Sequence, residues 1–121
     1  MATQMEELNE KDQVKYSVTM EKKDLTIKYR RYPLLHKGYG NYEELNVILK
    51  KRKNINVEVF LIRQSWNSTG TYPVCRTKIP MDDGLFNISD NVKESVMNVL
   101  YQLKSKLENT ECESGVLLYF P

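Results

Sequence analysis

Between Val14 and Met20 apolar and polar residues alternate strictly, Val14, Tyr16, Val18 and Met20 against Lys15, Ser17 and Thr19. In an extended chain successive side chains point to opposite sides, so this period of two predicts a half-buried strand. The alternation returns after the polar turn 21–24, with Leu25, Ile27 and Tyr29 against Thr26, Lys28 and Arg30. The two segments are therefore predicted to pair as a hairpin whose outward side carries cations. Pro33 ends the second strand, and residues 34–42, with HKGYGNY, read as a glycine-bearing loop.

Residues 42–50 fit two patterns, because Tyr42, Leu45 and Leu49 suit a helical stripe whereas Leu45, Val47 and Leu49 suit a strand. The strand is favoured by its neighbour. INVEVFLIRQSW, residues 55–66, is rich in β-branched and aromatic residues and apolar on both sides from Val59 to Ile62, as an interior strand is. A loop at 51–54 would join these two strands antiparallel. Residues 67–70 (NSTG) read as a turn, and 72–79 as a further strand, placed at an edge because Pro73 has no N–H to donate.

A connector over 80–90 with a turn at Asp83-Gly84 leads to the strongest single element. Val92, Val96, Val99, Leu100, Leu103 and Leu107 recur at helical spacing and predict one apolar face on a helix over 90–108. Asn91 with Glu94 resembles a capping box, with Ser89 or Asp90 as alternative caps. The closing VLLYFP is too apolar to leave in water and is expected to add a strand or pack across the core. The fold class expected is α+β: an antiparallel sheet of about four or five strands with one long C-terminal amphipathic helix on one face.

The 121 residues suffice for a single domain with its own core, and 40% hydrophobic with 28% charged residues is an ordinary globular composition. Residues 1–12 are polar and acidic and read as a flexible leader, without the apolar run of a signal peptide or the arginine-rich character of a transit peptide. No segment approaches the roughly 20 apolar residues that cross a bilayer. These features together predict an intracellular protein, nuclear or cytoplasmic, with no membrane partner. Cys75 and Cys112 lie outside any metal-ligand spacing and His36 is the only histidine, so two free thiols and no metal or cofactor are expected.

Charge changes the picture more than composition does. The net +2 conceals −3 over residues 1–21, +9 over 22–78, where thirteen basic side chains face four acidic ones, and −4 over 79–121. The predicted sheet holds the cations. Lys28, Arg30, Arg63, Arg76 and Lys78 on strands, with Lys51, Arg52 and Lys53 in the basic loop, form a candidate groove for a polyanion. Tyr29, Tyr32, Tyr39, Tyr42, Trp66 and Tyr72 lie among them, and cations that track phosphates beside rings that stack on bases are how single-stranded DNA or RNA is held. The plainer account is that half-buried strands ordinarily carry charged outward faces, that lysines at edges discourage aggregation, and that KKRK is a solvated turn.

The run VEVFLIRQSWNSTGTYPVCRTKI, residues 57–79, followed by a helix, resembles the single-stranded-DNA-binding core of the positive cofactor four family of transcriptional coactivators. In that family an apolar strand ends in arginine and an aromatic, and a glycine turn, a proline, basic residues and an amphipathic helix follow. The resemblance covers about a third of the chain. It implies that Arg63, Trp66, Arg76 and Lys78 face nucleic acid and that the helix serves the core or a dimer interface. The chain departs from the pattern in lacking a glycine between Lys78 and Ile79, inserting residues 80–87, lacking a tryptophan near the helix start and adding VLLYFP.

No phosphate-binding glycine loop, nucleophile elbow or histidine-carboxylate spacing is present, and Asp82-Asp83-Gly84 is better read as a turn than as an acid-base or metal site, so no enzymatic activity is expected. The alternative function is a protein-interaction or assembly module, viral or host-directed, because a small sheet with one helix also serves to dimerise or capture a strand. The apolar tail and an open sheet edge favour a homodimer.

Overall fold

Five successive segments of the chain are extended, and each pairs antiparallel with the next in sequence: β1 (Gln13–Glu21), β2 (Asp24–Tyr32), β3 (Tyr42–Lys51), β4 (Ile55–Ser65) and β5 (Ser68–Ile79). The computed structural model describes residues 13–32, 41–108 and 110–120. The leader and most of the loop predicted over 34–42, with His36 and Tyr39, lie outside these. Residues 42–50 are strand, as favoured, and β5 is an edge strand as Pro73 indicates. The predicted turn at 67–70 is corrected. The reversal is made by Trp66 and Asn67 alone, and Ser68 already pairs with Ser65.

Cross-strand register decides which side of the sheet each residue occupies. Leu25, Ile27 and Tyr29 of β2 stand opposite Leu49, Val47 and Leu45 of β3, which stand opposite Val57, Val59 and Leu61 of β4. All nine are buried. On β5 the ladder slips at the Val59/Phe60 step, so Cys75 faces Val59 while Tyr72 faces Leu61 and Val74 is the extra residue. A bulge of this kind reverses the sides of all residues beyond it. It also explains why the adjacent Val74 and Cys75 are both buried.

Beyond β5 a short 3₁₀ turn, Asp83–Phe86, buries Leu85. Asp82 caps it by accepting from the Gly84 N–H at 3.0 Å, and ion pairs tie it down, Lys51 to Asp83 at 2.6 Å and Lys106 to Asp82 at 3.1 Å. Helix α1 (Val92–Leu107) then buries Val96, Val99, Leu100, Leu103 and Leu107 against the sheet. Its cap is Asn91, whose side chain accepts the Glu94 N–H at 3.1 Å, which satisfies one of the unpaired donors of the first turn. Val92, included in the expected apolar stripe, faces solvent. Ser95, buried at the helix start, exchanges hydrogen bonds with Ser89.

The terminal apolar residues do not form a strand. They make a short helix, α2 (Ser114–Tyr119), that buries Leu117 and, just beyond it, Phe120, whose ring meets Tyr29 edge-on at 5.2 Å. The expectation of free thiols is also corrected. Cys75 of β5 and Cys112 before α2 form a disulfide with their Cα atoms 4.6 Å apart, and the Glu113 N–H reaches the Val74 carbonyl beside it. Spacing along the chain could not disclose this, because the pair meets only when the segment before α2 folds back onto the β5 edge.

Candidate nucleic-acid interface

Both helices lie on the same side of the sheet, and no described element covers the other side. Alternation therefore sends every second strand residue toward that open face. Following the register, one row across it reads Lys15, Arg30, Glu44, Ile62 and Thr71, the next Ser17, Lys28, Asn46, Phe60 and Pro73. Two further rows read Thr19, Thr26, Ile48, Glu58 and Arg76, then Glu21, Asp24, Lys50, Asn56 and Lys78. Tyr32 and Tyr42 stand side by side beyond the first row, with ring centroids 5.7 Å apart.

At that end the cations and rings form a layered group. The Lys15 ammonium lies over the Tyr32 ring at 5.4 Å, and the Arg30 guanidinium over the Tyr42 ring at 3.9 Å. Arg30 donates through Nε to Oε1 of Glu44 at 3.0 Å and through a terminal nitrogen to the Tyr32 hydroxyl at 3.1 Å. Glu44 is only 4% exposed although it belongs to the open face. Burial alone would push the Arg30 guanidinium down, but the Tyr32 hydrogen bond and Glu44 outweigh it and hold the group above its ordinary range. The charge is therefore held in place, with the guanidinium over the Tyr42 ring and its donors directed to Glu44 and Tyr32.

At the other end Glu58 accepts from Lys50 at 3.2 Å and Arg76 at 3.1 Å. The hydrogen bonds from Lys50 and then Arg76 hold its carboxyl below the ordinary carboxylate range. A depressed pKa stabilises the fold above the unfolded value, near about 4.3, and that contribution disappears as pH falls through the folded value. The stability difference between wild type and Glu58→Gln is accordingly expected at pH 7 and to be smaller at pH 3. Urea midpoints for both proteins at the two pH values check this, and the difference stays within about 1 kcal/mol because the pair is at the surface.

The structure divides the nine candidate residues. Lys28, Arg30, Arg76 and Lys78 share the open face. Arg63 lies on the opposite side, beyond the helices, where with Arg31 it pairs with Glu43 and approaches the Tyr72 ring at 5.9 Å. Lys51 has the same parity as Arg63 and is held by Asp83, Arg52 is paired with Asp24 at 3.1 Å, and Lys53 is exposed in the turn between β3 and β4. Trp66 sits at the opposite end, in the turn between β4 and β5, 73% exposed. Among the described residues no carboxylate lies within ion-pair distance of Lys28 or Lys78. Sequence reasoning left Lys15, Lys50 and Phe60 out of the site and named Tyr32 and Tyr42 only among the interleaved rings, although counting alternate positions outward from the buried residues would have placed each on this face.

Asn46 adds a polar feature. Its Oδ1 is buried without a hydrogen-bond partner, and the residue lies between Lys28 and Phe60 in the open-face row. Among the described residues no three histidine, cysteine, aspartate or glutamate side chains converge as a metal site, and no helix is long and apolar enough to cross a membrane. Comparison with protein-family models, curated proteins and solved structures finds no match to this chain.

Proposed function

We propose that the open sheet face binds single-stranded nucleic acid, DNA or RNA, without catalysing a reaction, in an intracellular setting that the coactivator resemblance makes nuclear and transcriptional. The observation that carries this reading is the face that no described element covers, where Lys15, Lys28, Arg30 and Lys78 are interleaved with Tyr32, Tyr42 and Phe60. Lysines without carboxylate partners can exchange condensed counterions for phosphates, and rings at the surface can take bases of any sequence. The ring of choice differs from the sequence expectation, because Tyr42 is braced beneath Arg30 whereas Trp66 projects from a turn.

The test is fluorescence anisotropy with single-stranded DNA, single-stranded RNA and duplex DNA at two salt concentrations. Single strands are expected to bind best, and Lys28→Ala with Lys78→Ala should lower the salt slope by roughly 0.7 for each phosphate no longer neutralised. Tyr42→Ala should cost about 1–3 kcal/mol with no change in slope, because stacking releases no counterions. Glu58→Gln should work in the other direction. It frees Lys50 and Arg76, so affinity and salt slope are both expected to rise. No binding of any oligonucleotide at low salt would overturn the proposal.

A second reading, the protein-interaction module, draws on a specific feature. Arg30, Lys50 and Arg76 direct much of their charge to Glu44 and Glu58, which leaves the open face less basic than the +9 segment suggests. Association through an apolar surface persists at high salt, whereas phosphate binding does not, so the same titration separates the two.

A further inference from the structure

The sheet has two edges, and they differ. Along β5 the ladder contains Pro73 and a bulge at Val74, and the disulfide and the Glu113 N–H fasten the chain before α2 against that edge. These are the devices that prevent strand addition. β1 has none of them. It is nine residues long, pairs with β2 without a register shift, contains no proline, and no described strand lies on its outer side.

The sequence of β1, QVKYSVTME, is also complementary to itself when read antiparallel about Ser17. That alignment sets Val14 opposite Met20 and Tyr16 opposite Val18, both on the helix side, and Lys15 opposite Thr19 and Gln13 opposite Glu21 on the open face, with Ser17 opposite its own copy. Apolar meets apolar, and no like charges are opposed. A slip of one residue would send the apolar set to the wrong face, and a slip of two would leave residues at each strand end unmatched. Met20, 45% exposed in the single chain, would be covered. Since α1 lies over β1 and β2, the two-fold axis would also bring the two copies of α1 side by side.

We propose that β1 is the docking edge for a second copy of this chain, joined antiparallel about Ser17 into one continuous sheet with a shared open face. This holds whatever the open face binds. It is an isologous contact and closes at two copies.

Sedimentation velocity of the full chain at high micromolar concentration tests it, with a dimer of twice 14.3 kDa expected. Ser17→Glu would set two carboxylates against each other across the axis, and is expected to weaken the dimer by about fivefold or more. An equimolar mixture of Ser17→Glu and Ser17→Lys should restore it, which a folding defect could not do. Thr71→Glu, on the β5 edge, should leave the equilibrium unchanged. As a folding-independent check, Ser17→Cys should crosslink to itself on oxidation more readily than Tyr16→Cys or Val18→Cys. A monomeric wild type, a dimer dissociated by Thr71→Glu rather than Ser17→Glu, or preferred crosslinking at 16 or 18 overturns the proposal.

Discussion

Truncating Leu100 or Leu103 to alanine is expected to lower unfolding free energy by about 2–5 kcal/mol for either change alone. Both side chains are fully buried, in the middle of α1, between the sheet and solvent-facing residues such as Tyr101. Each loses the transfer free energy of the deleted carbons, and a cavity remains because strands on one side and the helix backbone on the other cannot close it fully. For a domain whose total stability is of the order of 5–15 kcal/mol this is a large fraction. Val92→Ala should by contrast cost little, since Val92 faces water. Urea unfolding of the three variants checks the ranking. Equal midpoints for wild type, Leu100→Ala and Leu103→Ala would show that the helix is not seated on the sheet.

The fold was legible in the sequence where a local period sufficed. Strict alternation in β1 and β2, the doubly apolar run in β4 and the helical stripe of α1 each declare an element without reference to anything distant. The last residues were harder. The segment has β-rich composition, yet residues 116–119 are helical, which lets Leu117 and, just past the helix, Phe120 both reach the core. Six residues hold too little periodicity to choose between the two forms, and packing decides.

The site was legible only in part, for a reason that Arg63 illustrates. It shares odd parity with Val57, Val59 and Leu61 of β4, so it belongs to the helix side, and only by counting charge along the chain does it join Lys28 and Arg30. On β5 even that count fails. The bulge changes the parity between Tyr72 and Arg76, and no residue type marks it. Ion pairing is a further step removed from sequence, because Glu58 meets Lys50 and Arg76 only through the β3–β4 and β4–β5 registers.

Opening the disulfide is expected to rank with the core truncations. Cys75 and Cys112 are 37 residues apart, and closing a loop of that size removes unfolded-state entropy worth between about 3 and about 4.7 kcal/mol on the chain-entropy account. The loop contains the 3₁₀ turn and all of α1, so its closure holds the helix against the same sheet whose last strand carries Cys75. A Cys75→Ser/Cys112→Ser variant and the wild type in excess reductant should therefore show the same fall in urea midpoint, while reductant should not affect the variant further. The segment before α2 should also become the first to exchange its amides, since Glu113 loses the tether that keeps its N–H at Val74. In a reducing compartment the pair would open and this contribution would be absent. Stability would then rest on the apolar interface between α1 and the sheet, so the Leu103→Ala truncation should be harder to tolerate with reductant than without it. An identical Leu103→Ala protein yield and midpoint in both conditions would show that the disulfide carries no weight in the fold.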